Sequence, residues 1–296
     1  RYVGGGLGGM VCADVVEMDG EAGAYRLPDE HARILTRQAA SNLAVIAQFI
    51  PLVGGVEDDV VACFRQGGGV PYERYARFHE VMAEESGQTV LPALETAILP
   101  LVPGLTARLE AGIRVLDVGC GRGRALLQMA LAYPRSRFVG YDQSEEAVAW
   151  AEANAMRLGL DNVRFEVRDL SDFDRTAPIA GFELITTFDA IHDQADPQAV
   201  LDGIRRALAK GGVYIAQDIK GEGRHDKDRA NPVGTLLYTI SCMHCMTVSL
   251  AQGGAGLGAM WGRDMAERMF RDAGFREVAV HELEHDVQNY YYVCTA

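Results

Sequence analysis

Residues 114–123 read RVLDVGCGRG. An apolar run, an acid and three alternate glycines leave few folds open. The run predicts a buried strand, and the glycines predict a tight turn that feeds a helix. Such a strand–turn–helix offers backbone N–H groups and a helix N-terminus to a ligand. Gly119, Gly121 and Gly123 are spaced G-x-G-x-G, whereas the dinucleotide fingerprint is G-x-G-x-x-G; position 124 is Arg. No Lys-Ser/Thr pair follows, which argues against a triphosphate loop. Asp117 stands at the strand's carboxyl end, where an acid suits a cationic ligand group and repels a pyrophosphate.

From residue 113 onward strands and helices alternate. Strands are predicted at 113–118, 137–142, 163–167, 182–188 and 211–218, with helices at 123–133, 144–158 and about 197–209. This rhythm means a parallel sheet covered on both faces, with ligands held at the strands' carboxyl ends. Asp142 ends the second strand, where a carboxylate can accept both hydroxyls of a ribose. Asp169 follows the third, placed for an adenine amino group, with Leu170 offering a backbone N–H. The segment 219–262 breaks the rhythm with Met and Tyr residues and the glycine-rich AQGGAGLGAM, and it is read as a lid insertion. A helix at 263–273 and a closing pair of strands follow.

The first hundred residues have a different texture. RYVGGGLGGM holds five glycines in ten residues, a composition that argues against a helix because each glycine costs about 1 kcal/mol relative to alanine there. Residues 10–27 read as a hairpin around DGEAG. Helical segments are predicted at about 29–50, 57–66, 71–86 and 88–99. LPLVPG (99–104) marks a boundary, giving domains 1–103 and 104–296. The first residue is Arg, so residues 1–103 are read as the remnant of a longer N-terminal domain.

With 28 Lys+Arg against 41 Asp+Glu, the net charge is -13, which disfavours nucleic acid as a partner. No apolar stretch reaches the roughly 20 residues of a bilayer span, so no membrane partner is expected. The six cysteines are scattered, as reduced thiols of a cytoplasmic core would be.

VLDVGCGRG, VGYDQS, EVRDL and TTFDAIHD, in this order, resemble the motifs of the class I S-adenosylmethionine-dependent methyltransferases over residues 111–218. The resemblance implies an α/β, Rossmann-like sheet, mostly parallel with an antiparallel last strand. It carries cofactor contacts for S-adenosylmethionine to Asp117, Gly119, Cys120, Gly121, Asp142, Gln143, Asp169 and Leu170, with Phe188 and Asp189 on the sulfonium side. FDAIHDQADP is similar to the His-Asp-Trp segment of small-molecule O-methyltransferases, with Gln194 in place of Trp. That makes His192 the general-base candidate and Asp193 its companion. YERYARFHEVM and SCMHCMTVSLAQGGAGLG resemble segments of bacterial winged-helix methyltransferases, which implies a truncated N-terminal winged-helix domain and a homodimer. There the hairpin would be the wing, and the glycine-rich 1–10 departs from the helix such a domain has before it.

Acceptor-side candidates are Tyr72, Tyr75 and His79, at i, i+3 and i+7 on one helical face, and Met243 and His244 of the insertion. The Cys242-x-x-Cys245 pair lacks a second pair at ligand spacing, so no metal is expected. The acceptor is read as a small apolar or aromatic hydroxylated molecule. Three other readings stay open: a winged-helix regulator that senses the cofactor without catalysis, an N- or C-methyltransferase, and an NAD-dependent oxidoreductase, which the glycine spacing and Asp117 disfavour.

Overall fold

The computed structural model describes residues 1–37, 39 and 42–296. These form two compact units, Arg1–Ile50 and Pro51–Ala296. In the first, a helix over Tyr2–Cys12 precedes a hairpin of β1 (Glu17–Asp19) and β2 (Ala24–Arg26). The helix corrects the expectation from the glycines. Val3, Leu7, Met10 and Val11 recur at helical spacing, and bonds such as Gly5 N–H to the Arg1 carbonyl (2.9 Å) close the turns. The Asp19 carboxylate accepts from the N–H groups of Glu21 and Ala22, and Gly23 turns left-handed at φ +60°, so the hairpin loop is built by an Asx turn. The helical stretch expected over 29–50 is broken. A helix covers Asp29–Leu35, Thr36 is extended, and a 3₁₀ turn runs over Leu43–Gln48. Gln38, Ala40 and Ser41 lie outside the described residues.

The second unit is a seven-stranded sheet with helices on both faces. Its strands are β3 (Arg114–Val118), β4 (Arg137–Asp142), β5 (Val163–Val167), β6 (Phe182–Phe188), β7 (Leu208–Ile219), β8 (Glu277–Leu283) and β9 (Asp286–Thr295). Their order is β5-β4-β3-β6-β7-β9-β8, all parallel except β9, which runs antiparallel to both neighbours. Successive residues of β3 serve opposite layers. Val115 packs with Leu109, Leu126 and Phe138, and Leu116 packs with Ile185, Leu201 and Ile204. Such two-sided burial is why the parallel strands read as unbroken apolar runs. The chain goes from β3 to one side of the sheet and returns across it to β6, so the switch point lies between their carboxyl ends.

Two segments of this unit differ from expectation. The helix expected over 71–86 is a 3₁₀ turn at Tyr72–Arg74, a break in which Arg77 is left-handed (φ 66°), and a helix over Phe78–Thr89. Tertiary bonds override the local pattern, because Tyr75 donates its hydroxyl to the Met243 carbonyl at 2.6 Å and Tyr72 donates to Asp193. The helix expected over 88–99 is replaced by the end of that helix, a π turn at Leu94–Ile98 and a 3₁₀ turn at Leu99–Leu101. Within 219–262 a helical run spans Gly234–Ala251. Its 18 residues are long and apolar enough to cross a membrane by length and composition, and 44% of the run is buried inside the fold, as in a core helix.

Candidate active site

A cleft of about 1100 Å³, its open mouth included, lies over the carboxyl ends of β3, β4 and β6. The loop after β3 forms its floor. Gly119 has φ 71°, and a Cβ there would meet the Ala190 Cβ at 2.6 Å; Gly123 has φ 63°, and its Cβ would meet the Phe165 ring at 2.2 Å. Only glycine fits either position. Gly123 also opens the helix Arg124–Ala132.

Carboxylates surround this floor. Asp117 is buried and accepts from the Thr186 hydroxyl at 2.8 Å; burial pushes its carboxyl up to about 7. Asp142 accepts from Gly121 N–H at 2.7 Å and from Ser144 N–H at 2.9 Å. It therefore ties the glycine loop to the turn after β4, while Ser144 caps the next helix through the Ala147 N–H. Burial raises the Asp142 carboxyl, and these bonds oppose the rise. Asp169 accepts from Ser171 N–H at 2.9 Å. Asp117, Gly119, Cys120, Gly121, Asp142, Gln143, Asp169, Leu170, Phe188 and Asp189 all line the one cleft.

At the β6 end, Asp189 is left-handed (φ 57°), a strained conformation for this residue. Its carboxyl is pushed up to about 7 by burial, against the pull of His192. Asp193 also lines the cleft and accepts from the Tyr72 hydroxyl; burial raises its carboxyl as well. His192 does not line the cleft. His192 is 2% exposed, with Nδ1 2.8 Å from Asp218 Oδ1 and 3.7 Å from Asp189 Oδ1. Burial opposes charge on this ring, but Asp218 and Cys245 hold it well above the ordinary histidine range. Asp218 also accepts from Trp261 Nε1 (3.1 Å) and from its neighbour's N–H. One side-chain N or O atom each of Asp189, His192 and Asp218 lies within 4.8 Å of the others, so the three charges act on one another.

Of the acceptor-side candidates, Tyr72 and His79 line the cleft and stack at 6.4 Å; Tyr75, Met243 and His244 do not line it. His244 is instead boxed by Phe78 (stacked, 4.0 Å), Tyr75 and Tyr72. Burial, helped by His192 and His79, lowers it to about 3. Sequence reasoning missed Asp218, Arg122, Arg124, Phe78, Met82 and Gln252. Asp218 carried a usable signal, since it ends its strand as Asp142 does. The contacts of the others arise only when helices pack.

A methyltransferase-domain family model matches residues 109–274, and an Rv2258c-like winged HTH domain model matches residues 1–37. The release factor glutamine methyltransferase of Agrobacterium fabrum is 29% identical over 162 residues, 49% of this chain and 56% of its own length. The chain thus spans little more than half of that relative. Among solved structures, an O-methyltransferase family protein from Burkholderia thailandensis matches with a TM-score of 0.68 at 17% identity, covering 98% of this chain and 82% of the other. Human N-acetylserotonin methyltransferase, solved in complex with S-adenosylmethionine, matches with a TM-score of 0.63 at 16% identity over 97% and 80%. At these identities the structural likeness concerns the fold.

Proposed function

Because the chain belongs to the methyltransferase-domain family, we propose that it transfers a methyl group from S-adenosylmethionine to a small hydroxylated acceptor, as a homodimer. The observation that carries this reading is the convergence of ten residues on one cleft whose donors fit the cofactor part by part. Asp117 suits the α-amino group, Asp142 the ribose hydroxyls, and Asp169 with the Leu170 N–H the adenine. The glycine floor leaves the backbone bare beside them. When bound, the cofactor supplies an electrophilic methyl carbon on a sulfonium leaving group.

The chain's own residues orient the acceptor and take its proton. Asp189 lines the cleft and titrates near neutrality, so it meets the hydroxyl. His192, held by Asp218, stands behind it as the positioning residue that sets the charge of Asp189. The segments over 71–89 form the roof, with Tyr72 latched to Asp193. In the other unit the Tyr2–Cys12 helix buries none of its residues, which supports its use in assembly; light scattering showing a monomer overturns that part.

The test is calorimetric titration with S-adenosylmethionine, S-adenosylhomocysteine and NAD, with Asp142→Ala as control. Micromolar binding of the first two, lost in the control, is expected. Preference for NAD overturns the cofactor, and full cofactor binding with no methyl transfer across hydroxylated aromatics favours the sensor reading.

A further inference from the structure

Away from the glycine floor, the roof-side face of β6, β7 and β9 carries buried oxygens that no donor meets. Phe188, Gln217 and Tyr291 stand in one cross-strand row, because Phe188 pairs with Gln217 and Gln217 with Tyr291. Phe188 and Tyr291 pack in the layer that also holds Val90, the residue that ends the roof helix. Gln217 therefore points to the same side, and so does Asn289, two residues from Tyr291. Gln217 and Asn289 are each 3% exposed. Gln217 Oε1, Asn289 Oδ1 and Asp189 Oδ1 accept no hydrogen bond among the described residues. The Asn289 amide cannot turn to cure this. Its Nδ2 donates to both oxygens of Asp286, at 3.0 and 2.9 Å, and Asp286 also accepts from the Tyr291 hydroxyl at 2.7 Å and from Gln288 N–H at 3.1 Å. Glu85 of the Phe78–Thr89 helix acts on the same place. Asp189 and Asp286 raise its carboxyl, and it raises the Tyr291 hydroxyl. The Glu85 carboxyl has no hydrogen-bond or ion-pair partner among the described residues. A buried acceptor without a donor is costly, so three beside an unpaired acid call for a ligand that brings donors.

We propose that Glu85, Gln217 and Asn289 receive a protonated amine of the acceptor while its hydroxyl lies at Asp189. The assignment rests on the methyl-transfer reading above and names the acceptor's class, an amine-bearing phenol. An ammonium brings three N–H donors and no acceptor, which matches a set of acceptors alone, and its charge offsets the acids. A neutral hydroxyl brings one donor and a carboxylate none. The spacing fits as well. Gln217 and Asn289 are diagonal neighbours across β7 and β9, about 7–8 Å apart, so their side chains can close on one nitrogen. β6 and β9 flank β7, so Asp189 and Asn289 stand about 10 Å apart across two strand spacings. One aromatic ring with a two-carbon arm covers that span. Phe188 lines the cleft and gives the row its opening, and Tyr291 supplies apolar wall for the ring.

Calorimetry on the protein loaded with S-adenosylhomocysteine tests this, with tyramine and 4-ethylphenol as probes. The two share a phenol ring and a two-carbon arm, and tyramine alone has the amine. The wild type is expected to bind tyramine about 10- to 100-fold more tightly, the range for a charge-assisted bond. Glu85→Gln keeps the shape and removes the charge, and Gln217→Met keeps the length and removes the oxygen. Each should cut the preference for tyramine by about 5-fold or more. Equal binding of the two probes by the wild type, or failure of both to bind, overturns the amine subsite. A preference that survives in both variants overturns its assignment to these residues, and thermal melts of each variant exclude a folding defect. A wild type that does not bind S-adenosylhomocysteine overturns the cofactor reading itself, a result separable from the others.

Discussion

Asp189 is where charge, strain and access meet. A carboxyl near 7 is half ionised at neutral pH, the condition that favours a general base. Asp189→Asn is expected to lower kcat about 100- to 10,000-fold while the cofactor's Kd stays within about 3-fold. Equal loss in both would make the residue structural. His192 acts on Asp189 by charge, since the imidazolium 3.7 Å away favours the carboxylate. His192→Gln removes that charge, so the acid limb of the pH–kcat profile should move to higher pH. An unmoved limb would sever the two residues. The cleft lining was legible as strand-end acids and a glycine turn because each residue's role is set within its own βα unit. The burial of His192 was not legible. Its partners, Asp218 and Cys245, come from β7 and from the inserted helical run, and a side chain's direction is decided by such distant packing.

At the scale of elements, the turn from β3 into the next helix tolerates little change. Gly123→Ala adds a Cβ to a left-handed residue and drives it into Phe165. The expected cost is about 3 kcal/mol, read as a lower urea midpoint at unchanged slope; a midpoint at the wild-type value refutes the steric account. Strands 137–142, 163–167 and 182–188 match their sequence expectation because burial on both faces leaves an apolar run that an acid or a turn closes. The segment 71–86 departs from it because Tyr72 and Tyr75 answer to Asp193 and Met243, more than a hundred residues away. The Tyr2–Cys12 helix departs for another reason, as propensity counted its glycines and missed the apolar stripe between them.

Across the whole molecule, buried acids set the response to pH. Asp117 and Asp189 hold protons to about 7 and Glu85 to about 8, whereas in the unfolded chain they release them near 4. The folded state then binds more protons, so stability falls as pH rises through that window. His192, raised in the fold, adds to the fall above about 6.5. His244, lowered to about 3, contributes a rise that is complete by the same pH. Between pH 6.5 and 8 these groups pull one way, so Tm of the ligand-free protein should drop across that range; a flat or rising Tm overturns this balance. A cation bound against Asp117 favours its carboxylate and should flatten the curve. The sheet's switch point has a wider consequence. Strands β3 to β5 and their loops supply every group assigned to the amino acid, sugar and base, whereas β6, β7 and the insertion supply those beside the reacting atom. The two inventories share no side chain, so mutation can retune the acceptor half over generations while the cofactor half is inherited intact.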